Sequence, residues 1–238
     1  MAINSTDSTY IPLFINPSGL RVLVVGGGSV GTRRALMFRR AGARVIVVAK
    51  EFSKELLDSD VELREVRLPE DFPVLEKFIE ESDLVVIALS DEQLAGRIAK
   101  IALAKGKLVN NAVNHREGNV IVPFAATVLG LGVAITSFGV TGLAARIALE
   151  KIVKLIEEDR EVNAAIKAMG KLKVIIRSKV ADPRDRMKLY DIIHGDSEFR
   201  EYLRRGDWVS AYLRGLKIIE SHNIILDPRY YDVSESNH

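Results

Sequence analysis

The chain has 238 residues, which is enough for one large domain or for a medium domain with a smaller one. Hydrophobic residues make up 47% and charged residues 28%, as in globular proteins, so disordered and collagen-like classes are excluded. The 34 basic residues are balanced by 32 acidic ones, so the composition predicts no nucleic-acid partner. The absence of cysteine excludes disulfides and thiolate metal sites, and with only four histidines we expect no protein-built metal site.

The amino-terminal sequence lacks the basic segment and apolar core of a signal peptide. The most apolar stretch, residues 120–149, is interrupted by several glycines and a proline, so it is not expected to span a membrane. These features together predict a cytoplasmic protein without a membrane partner.

The first half of the chain alternates short apolar runs with amphipathic segments. In chain order, the pattern predicts a strand over 21–25, a helix from Thr32 to about Gly42, a strand over 43–49, a strand over 61–66, a helix over 69–82, a strand over 83–89, a helix from Asp91 to Gly106 and a strand over 107–112. Buried parallel strands have such continuous apolar runs. The predicted fold class is α/β, with a Rossmann-type doubly wound parallel sheet.

The sequence changes in character after this strand. Two β-like runs, 118–130 and 131–139, precede a helix from Leu143, and helical segments with alternating charge follow from Glu161. We therefore predict a dinucleotide-binding Rossmann domain over 1–112, a β-rich dimerisation and substrate segment over 113–155, and a small helical C-terminal domain over 156–238. The stretch from Val120 to Ile135 is too apolar to remain exposed, which predicts a homodimer.

A glycine motif stands between the first predicted strand and the first predicted helix, at Gly26, Gly28 and Gly31. In such a motif the first glycine permits a tight turn, the second lets a pyrophosphate approach the backbone, and the third allows close packing of helix and strand. The free N–H groups of Ser29 and Val30 would then bind the phosphates. We predict that the pyrophosphate of a dinucleotide cofactor binds here.

The end of the second predicted strand does not decide between NAD and NADP. Lys50 could meet a 2′-phosphate, Glu51 could bind the ribose, or the two could be a solvated pair. Ser90 and Asp91 follow the strand over 83–89, at the edge where α/β sheets bind ligands. Asp91 is also placed to cap the next helix, and we favour capping as its main role.

Four polar residues follow the last predicted strand at the same edge, namely Asn110, Asn111, Asn114 and His115. We assign Asn111 to the cofactor, and Asn114 and His115 to catalysis, since histidine titrates near neutrality and could take up a proton. A loop histidine beside turn-forming asparagines is the alternative interpretation.

Three arginines and one serine are candidates for substrate binding. Arg33, Arg34 and Arg116 could bind an anionic substrate or could simply be solvated, and Ser137 could contact substrate or join a strand to a helix.

Longer motifs surround these residues. They are YIPLFINPSGLRVLVVGGGSVGTRRA, AGARVIVVAKEFS, DLVVIALSDEQLAGRIA, KGKLVNNAV and IVPFAATVLGLGVAITSFGVTGLAARIALEKI. On these motifs the sequence resembles the precorrin-2 dehydrogenase/sirohydrochlorin ferrochelatase family, which forms the first module of siroheme synthases. The opening Y-x-P-L-F and the late S-x-G are more specific than the glycine motif. The resemblance covers about residues 10–155 well and the helical part loosely.

The resemblance implies a Rossmann domain, a dimerising central segment and a helical C-terminal domain. It also implies NAD-dependent oxidation of precorrin-2 to sirohydrochlorin, on the route to siroheme, and some members insert ferrous iron into the product. The substrate is a tetrapyrrole with eight carboxylates, which gives the arginines a function. The serine of the family matches Ser137.

This sequence differs from the family at one position that affects the chemistry. The family carries an aspartate, held to act as a base and in chelation, where counting back from Pro123 places Val113 and Asn114. Neither residue can be a base. We therefore expect a dehydrogenase in which His115 or water accepts the proton, with weak or absent ferrochelatase activity. The alternative is a carrier or sensor of tetrapyrroles with the same fold, and a Rossmann oxidoreductase with another substrate has less support.

Overall fold

The computed structural model describes residues 10–233, which form two compact units. Of these residues, the first unit contains 10–122 together with Phe138–Val140. The second contains Pro123–Ser137 and residues 141–233. Among the described helices, none combines the length and the apolar character needed to cross a membrane.

The first unit is built on a sheet of five parallel strands in the order β3-β2-β1-β4-β5. The strands are β1 (Arg21–Val25), β2 (Arg44–Ala49), β3 (Glu62–Glu65), β4 (Leu84–Ile87) and β5 (Leu108–Asn111). β1 pairs with β2 and with β4, so the chain reverses its direction of progress across the sheet at β1. The prediction of a doubly wound parallel sheet is confirmed.

Helices cover both faces of this sheet. They are α1 (Ser29–Arg40), α2 (Lys54–Leu57), α3 (Phe72–Glu81) and α4 (Glu92–Ala104), followed by a 3₁₀ turn at His115–Glu117. Successive β1 residues face opposite cores, with Val24 in the core that contains α1 and α2 and Leu23 in the core that contains α3 and α4. Burial on both faces explains why β1 and β4 are almost entirely apolar, whereas the edge strand β3 is mostly exposed and has the polar sequence ELRE.

The second unit begins with an antiparallel hairpin of β6 (Phe124–Val128) and β7 (Leu131–Ile135). The helices α5 (Gly142–Glu158), α6 (Arg160–Lys179), α7 (Pro183–Gly195), α8 (Ser197–Arg204) and α9 (Trp208–Ser221) follow, and the described chain ends with a 3₁₀ turn at Pro228–Tyr231. The hairpin packs on α5. Leu172, Phe199 and Leu216 are fully buried in the core of the later helices. The prediction of a helical C-terminal region is confirmed.

The two units divide the chain differently from the three predicted segments. The β-like run 118–130 forms a strand only from Phe124 onward, because the residues before it bond to β5 instead. The N–H groups of Asn119 and Val120 both donate to the Val109 carbonyl, at 3.0 and 2.9 Å. The chain therefore stays with the first unit up to Val122, while the hairpin and all later helices share the second unit.

An ion pair joins the starts of two central strands. The Arg21 guanidinium bonds the Asp83 carboxylate in two places, at 3.0 and 3.3 Å, and the Arg21 N–H donates to it at 2.8 Å. These hydrogen bonds from the side chain and backbone of Arg21 lower the pKa of Asp83 from 3.8 to about 2. The pair therefore stabilises the fold above about pH 4, and this contribution is lost as the pH falls towards 2.

We predict that Asp83→Asn lowers the free energy of unfolding at pH 7 by only about 1 kcal/mol, because the Asp83 side chain is 35% exposed and solvent screens the pair. The difference from the wild type should shrink as the pH falls from about 4 towards 2. Urea unfolding at pH 7 and pH 3 measures it. Asp60→Asn is the control, because Asp60 is 70% exposed in its pair with Arg39 and should change stability less at both pH values. An equal loss at both pH values for Asp83→Asn would contradict the prediction.

Candidate functional site

The turn from β1 to α1 is formed by the glycine motif. Gly26 has φ +117°, a conformation that L side chains rarely adopt, and its N–H donates to the Val48 carbonyl at 2.9 Å. A Cβ on Gly26 would collide with the backbone carbonyl of Ala88, which follows β4. Only glycine therefore fits where β1, β2 and β4 end together.

The amino terminus of α1 is open to a ligand. Gly28 is the residue before the helix, and among the described residues no side chain caps it. A Cβ added to Gly28 would meet no described atom within 4 Å. The first turn contains no acidic residue, so its N–H groups and the helix dipole favour an anion. The backbone thus leaves the space that a pyrophosphate needs.

A cavity of about 470 Å³ lies in front of this turn, at the carboxyl ends of the strands. Most of the predicted cofactor residues line it, namely Gly26, Gly28, Ser29, Val30, Lys50 and Ser90, together with Glu51. The described lining does not include Gly31, Asp91 or Asn111. The Asp91 carboxylate accepts the Leu94 N–H at 3.0 Å, so its capping role is confirmed.

Sequence reasoning missed the apolar wall of the cavity, which consists of Val66, Leu68, Leu89 and Leu94. Val66 and Leu68 follow β3 at the same edge of the sheet. Because ligands bind at this edge, their position after a predicted strand could have identified them as cavity residues. An apolar wall beside the glycine turn provides a surface for a flat ring.

The loop after β2 leaves the choice between ribose and phosphate recognition open. Lys50 and Glu51 are 72% and 84% exposed, and 3.8 Å separates Lys50 Nζ from Glu51 Oε1. The loop itself is anchored, because the Ser53 N–H donates to the Gly27 carbonyl at 3.2 Å and the Ser53 and Thr32 hydroxyls lie 2.8 Å apart. Both side chains are therefore exposed at the rim of the cavity.

The loop after β5 is held together by Asn111, which is only 1% exposed. Its Oδ1 accepts the N–H groups of Val113 and Asn114, at 3.0 and 3.2 Å, and its Nδ2 donates to the Glu117 carboxylate at 3.2 Å. The Asn111 amide is thus used within the loop, and its predicted contact with the cofactor stays a prediction.

The predicted catalytic residues lie in this loop. The Asn114 side chain is exposed and accepts the Arg116 N–H at 3.2 Å, which starts the 3₁₀ turn that carries His115. His115 is half-buried. Val113 packs half-buried against the core of α3 and α4, so it leaves no polar group where the family has its aspartate. Glu117, which accepts a hydrogen bond from the Asn111 side chain, is a carboxylate of the same loop that the sequence motifs did not identify.

The candidate arginines differ in environment. Arg34 is half-buried and donates to the Val122 carbonyl at 3.3 Å, and burial together with the neighbouring Arg33 lowers the pKa of Arg34. Arg33 and Arg116 are exposed. Asn110 is 5% exposed and donates to the Val120 carbonyl at 2.9 Å. Arg34 and Asn110 therefore hold the segment 120–122.

Ser137 lies in the second unit, just before α5. It is half-buried, and its hydroxyl accepts the Thr141 N–H at 3.0 Å. The side chain thus stabilises the entry to α5, and a contact with substrate stays a prediction. Within the described residues, no group of three or more His, Asp or Glu side chains could hold a metal ion.

The sheet, the open helix terminus and the cavity define a dinucleotide-binding protein of the Rossmann class. Residues 13–124 match a family model described as "Putative NAD(P)-binding", and the cofactor prediction is confirmed. The chain is 32% identical over 202 residues to a siroheme synthase of Psychromonas ingrahamii and 30% identical over 182 residues to one of Neisseria meningitidis. It covers 42% and 37% of their lengths, and they cover 85% and 76% of this chain.

A shorter relative matches along nearly its whole length. It is named "Putative precorrin-2 dehydrogenase", from Methanocaldococcus jannaschii, and is 26% identical over 82% of this chain and 95% of its own. The solved structure of "SirC, precorrin-2 dehydrogenase" has the same fold, with a TM-score of 0.63, 22% identity, and coverage of 89% of this chain and 100% of that one. The resemblance found in the sequence is confirmed.

Gly28→Ala tests the binding site directly. Because a Cβ at Gly28 meets no described atom within 4 Å, the variant should fold, with only a small loss of stability from replacing glycine by alanine at the N-cap of α1. The methyl group should obstruct the pyrophosphate and raise the Kd for NAD by about tenfold or more. Calorimetric titration with NAD measures it. Gly170→Ala is the control, since Gly170 lies in α6 of the second unit, has open space for a Cβ and does not have a positive φ. An unchanged Kd for Gly28→Ala would contradict this assignment.

Proposed function

We propose that this chain is an NAD-dependent precorrin-2 dehydrogenase that oxidises precorrin-2 to sirohydrochlorin. One observation carries the proposal. The open glycine turn and the loop that carries His115 both lie at the carboxyl edge of the same sheet, where α/β folds bind ligands. The similarity over 95% of the relative from Methanocaldococcus jannaschii, which is named a putative precorrin-2 dehydrogenase, supports the choice of substrate.

The reaction removes two electrons and two hydrogens from precorrin-2. Bound NAD supplies the chemistry of hydride acceptance, which leaves one proton to be taken up. In the proposed mechanism the backbone N–H groups at Ser29 and Val30 hold the pyrophosphate. His115 accepts the proton and releases it to solvent. Asn114 orients His115 by capping its turn.

Cations around the site account for a substrate with many carboxylates. Arg33 and Arg116 are exposed and can each form a two-pronged bond with a carboxylate, whereas Arg34 is bound to the backbone. We assign Arg116 and Ser137 to the substrate. We further propose that ferrochelatase activity is weak or absent, because Val113 and Asn114 cannot remove the pyrrole protons that iron must replace.

The missing carboxylate also favours a second candidate, a carrier or sensor that binds NAD and a tetrapyrrole without turnover. Such a protein would bind precorrin-2 and yet form no NADH. We place the enzyme first because His115 offers a titratable group in the loop that lacks the aspartate. A cytoplasmic location stays a prediction.

Three single substitutions test the role of His115. We expect His115→Ala to lower kcat for NADH formation by about 100-fold, the lower end of the range for loss of a general base. His194→Ala should leave kcat unchanged, because His194 is an exposed residue of α7 in the second unit. Glu117→Gln should retain most of the activity, because an amide can still bond Asn111. Steady-state rates under anaerobic conditions measure all three.

The same rates identify the alternatives. A large loss of kcat with Glu117→Gln and a small loss with His115→Ala would indicate that Glu117, and not His115, is the base. Normal activity in both variants would leave the proton to water and contradict the role of His115.

We also propose that the protein is a homodimer that buries the hairpin and α5. Large apolar side chains are exposed on these elements, namely Phe124, Leu129, Leu131, Leu143, Ile147, Ile152 and Leu155. An apolar surface of this extent is uncommon on a monomer, and a second copy would cover it.

Leu131→Arg tests this assembly. Because charged residues are depleted in the cores of protein interfaces, an arginine in the dimer surface should convert a wild-type dimer into a monomer in sedimentation at micromolar concentration. Leu57→Arg is the control, since Leu57 is 62% exposed on α2 of the first unit and should leave the dimer intact. A monomeric wild-type protein would contradict the proposal.

A further inference from the structure

The two most specific motifs of the sequence are not explained by cofactor binding. The first is Y-x-P-L-F, which begins at Tyr10, and the second is S-x-G, which ends at Gly139. Tyr10 and Gly139 are 129 residues apart in the chain, yet Tyr10 and Phe138–Val140 belong to the same unit. Both motifs contact His115.

Gly139 lies against the His115 ring. A Cβ on Gly139 would come within 3.0 Å of Cε1, Nδ1 and Nε2 of the imidazole, so the ring fills the space that a side chain would need. Gly139 also has φ +82°, and the preceding Phe138 has φ +49°. Two successive residues in the left-handed region are uncommon. Here they place the Gly139 backbone in contact with the imidazole of His115.

Tyr10 holds the same turn from its backbone side. Its hydroxyl donates to the carbonyls of His115 and Gly118, at 3.4 and 3.3 Å, which are the two ends of the turn. Its ring lies 6.1 Å from the ring of Phe138, centroid to centroid. The segment against the imidazole and the residue bound to the turn therefore also contact each other.

We propose that Gly139 and Tyr10 are positioning residues that fix the imidazole of His115. This inference rests on the proposed function, in which His115 accepts a proton. Proton transfer requires the ring within hydrogen-bond reach of the substrate, and a histidine on an unsupported loop would sample many orientations. Backbone packed on the ring removes these orientations.

Gly139→Ala tests the packing of the His115 imidazole against Gly139, which we call the seat of the imidazole. Gly106→Ala is its matched control. Gly106 has φ +70° and no described atom within 4 Å of an added Cβ, so the control introduces similar backbone strain without touching a histidine. The readouts are the NMR signals of the histidine rings and the kinetic constants. The chain has four histidines, and the spectrum of His115→Ala identifies the signal of His115.

We expect Gly139→Ala to shift the His115 signal and to lower kcat at least about tenfold, while KM for NAD stays within about twofold. Gly106→Ala should change neither. In a His115→Ala background, Gly139→Ala should produce no further loss of kcat, because the two residues act through one group. Tyr10→Phe should shift the His115 signal with a smaller loss of kcat. If Gly139→Ala does not fold, Tyr10→Phe is the variant that tests whether the imidazole is held in place.

Other outcomes would overturn the inference. An unchanged His115 signal in folded Gly139→Ala, or in Tyr10→Phe if that variant must decide, would show that the ring is not held there. A shifted signal with unchanged kcat would show that the contact has no role in the reaction. If the wild type has no turnover and the signal still shifts, the proposed function fails while the seat of the imidazole is retained.

Discussion

The close approach of Gly26 to the Ala88 carbonyl is the constraint on which the nucleotide site depends. It turns the chain sharply after β1, so that α1 starts directly over the carboxyl ends of the strands. Because Gly28 has no side chain, the N–H groups of the first turn face the cavity without a competing cap. The anion site is therefore produced by backbone, and no charged side chain is needed to create it.

The loop that carries His115 is fixed by hydrogen bonds between β5 and the residues that follow the loop. β5 is an edge strand, and its free side is closed by the residues that follow the loop, because Val109 bonds Asn119 and Val120. The loop thus leaves β5 at Asn111 and returns beside it at Asn119. Buried Asn111 supplies hydrogen bonds inside this closed loop, which lets a polar segment pack at the sheet edge with its backbone groups satisfied.

Local patterns predicted most of the fold. Apolar runs identified β1, β2 and β4, and a strand was also predicted over 61–66 although β3 itself is polar and mostly exposed. Gly42 marked the end of α1. The boundary at Val122 could not be predicted, because it depends on hydrogen bonds to a strand earlier in the chain. The short helix α2 gave too few residues to show a period.

The site was predictable where backbone geometry determines it and unpredictable where long-range packing does. The glycine motif identified the pyrophosphate position, but the polar cluster after β5 did not reveal that Asn111 is used by the loop itself. The contact of Gly139 with His115 joins residues far apart in the chain and needs the folded structure to be seen.

The most direct test of the proposed function is a single anaerobic incubation of the protein with precorrin-2 and NAD, in which NADH and sirohydrochlorin are followed by their absorbance. A dehydrogenase should form the two products in equal amounts until precorrin-2 is exhausted. Binding of NAD and precorrin-2 without formation of either product would contradict the account and identify the protein as a carrier or sensor.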